Sequence, residues 1–117
     1  MPTPDRDAFT REWLTAWNSH DVEAVLAHFR DDVVFTSPVA ARLLPATGGV
    51  VRGKAALRDY WTTALAKLPD LHFELVAVHQ GESLLVINYR NERGQLVNEV
   101  LAFDGDLVRE GHGTYVD

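Results

Sequence analysis

The chain contains no cysteine, which excludes a disulfide framework, thiolate nucleophiles and zinc sites built on thiolates. It lacks a basic surplus: 11 Lys and Arg stand against 17 Asp and Glu, for a net charge of −6. Nucleic acid rewards clustered cations through phosphate neutralisation, so it is not an expected partner. No apolar run approaches the roughly 20 residues of a membrane span, and the start MPTPDRDAF has neither the basic head nor the apolar core of a secretory signal. The expected location is therefore cytoplasmic, with no membrane partner. No HExxH pattern or histidine pair at metal-ligand spacing occurs, so neither a metal nor an organic cofactor is expected. Internal repeats and low-complexity segments are also missing.

What is present fits one globular domain over residues 1–117, with 46% hydrophobic and 24% charged residues and no room for a second unit. Thr3 and Pro4 read as a cap and first-turn signal, and Phe9, Trp13, Ala16 and Trp17 then recur at i, i+4, i+7 and i+8, an amphipathic helix with an aromatic stripe. Asn18, Ser19 and Asp21 break and restart it, and Val22, Val25, Leu26 and Phe29 give a second short helix. A strand over Val33–Phe35 stops at Pro38, and a loop holds Pro45, Gly48 and Gly49. Leu57, Trp61, Ala64, Leu65 and Leu68 then mark a third helix ending before Pro69. The remainder alternates at period two in strands at about 71–79, 84–91, 95–103 and 107–116, an antiparallel meander. Helices first and strands last make this α+β, with the helices on one face of the sheet.

Two turns set the strand register. An Asp104-Gly105 hairpin loop would oppose Phe103 to Asp106, Leu101 to Val108, Glu99 to Glu110 and Val97 to His112. A three-residue loop Glu92-Arg93-Gly94 would pair Tyr89 with Val97, Ile87 with Glu99 and Leu85 with Leu101. Both turns choose the same helix-covered face, and Glu99, Glu110 and His112 fall on it among apolar neighbours. Directly opposed carboxyls repel, so one would hold a proton or His112 would carry a charge. Either state suits acid–base chemistry; the competing reading is a buried charge network that only fixes the register. Trp13, Trp17 and Trp61 could stack on a planar ligand or simply fill the core. Asp21, Asp31 and Asp32 read as turn and cap carboxylates, and His20 and His28 as solvated.

The block FTREWLTAWNSHDVEAVLAHFRDDVVFTSP resembles the opening of the SnoaL-like branch of the nuclear-transport-factor-two-like superfamily; VRGKAALRDYW and the four-strand ending resemble its later parts, so the likeness spans nearly the whole chain. The resemblance implies a cone-shaped, strongly curved, mainly antiparallel sheet with three N-terminal helices on its concave face, a pocket in the mouth, and often a homodimer formed across the sheet. The superfamily includes ketosteroid isomerases, polyketide cyclases, dehydratases, epoxide hydrolases and non-catalytic association domains. Against the isomerases, Ser37 stands where the proton-abstracting aspartate precedes a proline, Trp13 where the oxyanion-hole tyrosine stands, and Glu99 where a protonated aspartic acid stands. A lone serine hydroxyl is no base at neutral pH. The expectation is a dimeric protein that binds a hydrophobic small molecule between Trp13, Trp17, Phe35, Trp61, Leu85 and Tyr89. Glu99, assisted by His112 and Glu110, would then perform isomerase, cyclase or dehydratase chemistry. The alternative is a ligand-binding or association domain of the same fold without chemistry.

Overall fold

The computed structural model describes residues 5–116; the Thr3-Pro4 cap signal lies outside them. Helix α1, Arg6–Asn18, is capped by Asp5, whose side chain accepts from the Ala8 N–H at 2.8 Å. Its stripe of Phe9, Trp13, Ala16 and Trp17 is buried as the spacing requires. Asp21 caps α2, Val22–Leu26, in the same way. Strand β1 runs over Phe29–Thr36, so it includes Phe29, expected in the helix, and Asp31 and Asp32, expected in a turn. Both carboxylates are exposed on the strand, Asp32 paired with Arg30 and Asp31 near Lys54.

Pro38 does not end the order; it opens a helix. Helix α3 spans Pro38–Leu43, with Ser37 as its N-cap accepting from the Val39 N–H at 3.1 Å and Pro38 in the first turn. Proline fits there because its missing N–H would be an orphan donor in any case. A 3-10 turn at Pro45–Thr47 and strand β2, Val50–Arg52, complete a segment expected to be loop, and α4, Lys54–Lys67, follows. Among the described residues there are thus four α-helices where three were expected. Strands β3 (Glu74–Gly81), β4 (Leu84–Arg90), β5 (Leu96–Asp104) and β6 (Leu107–Tyr115) form the meander.

The curved, unclosed sheet has the order β2-β1-β6-β5-β4-β3, antiparallel except where β1 lies parallel to β6. Its inner face carries Phe35, Leu85, Ile87, Tyr89, Val97, Leu101, Phe103 and Val108, all buried against the helices. Arg30 on β1 reaches Asp104 and fastens the β5–β6 hairpin to the neighbouring strand. No described helix is long and apolar enough to cross a membrane.

Candidate functional site

The β4–β5 register is the expected one: Tyr89 pairs with Val97, Ile87 with Glu99 and Leu85 with Leu101. The β5–β6 register is not. Asp104 pairs with Leu107, so the loop is Gly105-Asp106, and Phe103 pairs with Val108. That slip alone preserves the parity of the ladder. An irregularity follows, with Ala102 opposite Glu110, which leaves Arg109 as an extra residue on β6. One inserted residue turns everything beyond it to the other face. Glu99 therefore faces Gly113, Val97 faces Tyr115 and Leu101 faces Gly111. The expected cluster of Glu99, Glu110 and His112 does not form.

Glu110 and His112 lie instead on the outer face of the sheet. His112 Nε2–H donates to Glu110 Oε1 at 2.8 Å, and Thr36 Oγ1 is 2.6 Å from His112 Nδ1. Their side chains are 45% and 33% exposed. The glycines at 111 and 113 were the available signal. Glycine inside a strand marks a close approach of other groups, and here both point inward. A Cβ on Gly111 would sit 2.9 Å from the Phe35 ring, so the absence of a side chain is what lets that ring pack on the sheet.

Glu99 is the acid that remains inside, 7% exposed. Tyr89 Oη–H donates to its Oε1 at 3.0 Å. Burial raises the carboxyl from 4.5 to about 7, and the Tyr89 hydrogen bond opposes the rise only in part. The cause is thus lost water, not the opposed carboxylate inferred from the expected register. Burial also raises the surrounding phenols: Tyr89 well above its ordinary value, Tyr60 to about 12, and Tyr115 further. For Tyr60 and Tyr115 the Ser37 hydroxyl and Arg42 act in the opposite direction. Ser37 is buried, and a Cβ on Gly113 would be 3.5 Å from both Ser37 Oγ and Glu99 Oε1. The bare glycine leaves the space between them open.

That space belongs to a cavity of about 200 Å³. Trp17, Phe35, Trp61 and Tyr89 line it with Glu99, as expected, whereas Trp13 and Leu85 are core residues that do not reach it. Tyr60, Tyr115, Ser37, Leu71 and Phe73 complete the walls, and Arg42, Lys67 and Arg93 stand on the exposed rim. The sequence pattern missed Tyr60 and Tyr115, although Tyr60 precedes Trp61 on the apolar side of α4. Phe73 stacks on Tyr89 with centroids 4.1 Å apart, and its backbone is clamped by Asn18, which gives to Phe73 O at 3.0 Å and accepts from Phe73 N at 2.8 Å. His20 Nε2–H donates to Leu71 O at 2.9 Å. The helix-breaking residues at the α1–α2 corner therefore hold one wall of the cavity. His20 and His28 are both partly buried, contrary to the solvated reading; His28 packs edge-on against Phe9 at 4.9 Å, and burial lowers its pKa.

A curved sheet closed on one side by helices around a walled cavity defines a cone-shaped α+β fold. The chain matches the SnoaL-like domain family over residues 10–110, and it belongs to that family. It is similar, at 36% identity and a TM-score of 0.91 over 100% of both chains, to a SnoaL-like protein of unknown function from Burkholderia thailandensis. It is also similar to a putative polyketide cyclase from Sinorhizobium meliloti, at 11% identity and a TM-score of 0.76, covering 92% of this chain and 94% of the other. TerC, co-crystallised with polyporic acid, is 12% identical with a TM-score of 0.76, over 92% of this chain and 88% of TerC. The last two likenesses establish the fold alone. No curated protein matches the chain.

Proposed function

We propose that the protein binds an apolar or aromatic small molecule in this cavity and acts on it by acid–base chemistry of the isomerase, cyclase or dehydratase kind. The observation that carries the reading is the Glu99 carboxyl, buried in the wall of an aromatic cavity and raised to about 7. A carboxyl poised near neutrality can both give and accept a proton at working pH, which an ordinary carboxylate cannot. Tyr89, which donates to it, steadies the ionised form in one orientation. Tyr60, Tyr115 and Ser37 are neutral hydroxyls within the same walls, suited to hydrogen-bond an oxygen on the ligand. Ser37 also has a structural duty as the α3 cap, so its place in the wall follows from folding whether or not it touches a ligand. The polyketide cyclase and TerC share the cone and so support a ligand in its mouth.

The test has two stages. Aromatic small molecules are screened by thermal shift, because a ligand that binds only the native state raises its melting temperature by mass action. Glu99→Gln is then compared with the parent on any ligand that is turned over. The expected result is binding nearly intact and turnover lower by a factor on the order of 10². Unchanged turnover would remove Glu99 from the chemistry, whereas ligands that bind with none turned over would leave a binding domain without chemistry, the reading favoured by the serine at position 37. The proposal extends to a homodimer across the outer sheet face, where Val34, Val86, Val100 and Ala102 are only partly covered.

A further inference from the structure

The rim of the cavity is where the charge of this acidic chain reverses. Arg42, Lys67 and Arg93 line the mouth and are exposed, with one carboxylate, Glu92, among them. Of the chain's 11 lysines and arginines, Arg6, Arg30, Lys54, Arg58 and Arg109 form an ion pair with a carboxylate, and among the described residues Arg11, Arg52 and Arg90, which do not line the cavity, form none. Among the described residues Arg42, Lys67 and Arg93 make no ion pair. They come from three separate elements, namely the end of α3, the end of α4 and the β4–β5 loop.

Two of these positions are held by specific local structure. Arg42 lies in the last turn of the helix capped by Ser37, and its charge acts on the phenols of both Tyr60 and Tyr115. It therefore joins the hydroxyl wall to the rim. Arg93 sits in a loop pinned by Asn91, whose Oδ1 accepts from the backbone N–H of Arg93 and of Gln95 at 3.0 Å each. Unpaired cations at an apolar mouth favour an anion over a neutral group, and arginine matches a carboxylate's two oxygens geometrically.

Building on the proposed cavity function, we infer that the ligand is an aromatic carboxylate, with its ring between Trp17, Phe35, Trp61 and Tyr89 beside Glu99 and its carboxylate at the rim against Arg42 and Arg93. The arrangement keeps the ligand's negative charge away from Glu99, whose own ionisation would otherwise be opposed.

The experiment titrates the full chain with naphthalene carboxylate and with naphthalene carboxamide, read by tryptophan fluorescence at about pH 6, where the carboxylate is ionised. Expected is about tenfold tighter binding of the carboxylate, the scale of one charge-assisted hydrogen bond, with salt weakening the carboxylate alone. Arg42→Gln and Arg93→Gln should each remove a factor of about 3 to 10 from the carboxylate and leave the carboxamide unchanged. Arg42→Lys should keep part of the preference. Equal binding of the two ligands, or an equal loss of both in Arg42→Gln, overturns the carboxylate assignment while the cavity reading stands. Failure of both ligands to bind overturns the cavity reading and the assignment with it.

Discussion

Glu99 and Glu110 are the same residue type on adjacent strands, and they face opposite sides of one sheet. The inner one is 7% exposed and meets a neutral phenol; the outer one has a side chain 45% exposed beside His112 and Arg109. The inner carboxyl, with no charged partner, is raised by burial to about 7. Proton affinity here is set by removal of water more than by the identity of the neighbours. The sequence pattern suggests a cluster of three titrating groups, whereas the fold divides them into a buried acid and a half-exposed surface network.

The sharpest way to break that comparison is to neutralise each acid in turn. Glu99 is raised from 4.5 in its ordinary state to about 7 in the fold. A raised acid is fully stabilising only below its unfolded value, and that contribution is lost as pH climbs through the folded value. The native state binds the extra proton between these limits, so stability falls with pH across the window. The cost of burying the ionised form above it is on the order of 3 kcal/mol. Glu99→Gln should therefore match the parent near pH 4, below the unfolded value, and exceed it by roughly that amount near pH 8 in denaturant unfolding. Glu110→Gln should change stability by under about 1 kcal/mol at either pH. A stability difference between the parent and the Glu99→Gln variant that stays flat from pH 4.5 to 7 would show that Glu99 is not desolvated in the native state.

Most of the fold is legible before any coordinates, because it rests on periodicity. The stripe of α1, the end of α4 before Pro69 and the inward set Leu85, Ile87 and Tyr89 follow from spacing and from a turn with Gly94 at φ 76°. Helix α3 escapes because Ser37-Pro38 is grammatical both as a stop after a strand and as a cap before a helix. The site is less legible for a sharper reason. Side-chain facing along β6 depends on a count of residues, and one bulged residue, Arg109, reverses it. No local propensity announces a bulge. The glycines at 111 and 113 do constrain the answer, because they belong where other groups press closest.

Those glycines give the next test of the inner face. A Cβ at position 111 would lie 2.9 Å from Phe35 Cδ1 and 3.2 Å from Leu101 Cδ2, inside a packed core that yields little. Gly111→Ala should cost about 1–3 kcal/mol by denaturant unfolding. At Gly113 the same methyl would make ordinary contacts, 3.5 Å from Glu99 Oε1 and Ser37 Oγ, so Gly113→Ala should be close to neutral for stability. A reversed order of the two costs would mean that Phe35 does not rest on Gly111.

The smallest effect belongs to the outer face, and it bears on the second copy. Thr36, His112 and Glu110 form a chain of contacts at 2.6 and 2.8 Å on a surface that is partly wet. A half-exposed pair of this kind is worth little, so a double-mutant cycle of His112→Gln and Glu110→Gln should give a coupling below about 1 kcal/mol in dilute protein. If a second chain covers this face, water leaves the network and the coupling must grow with concentration, together with the stability of the parent itself. Both are measured by repeating the unfolding curves across about a hundredfold range of protein concentration. A parent midpoint that does not move over that range removes the homodimer. A large coupling already present in dilute protein would instead make the outer network an energetic equal of the inner one, and desolvation would no longer separate the two faces.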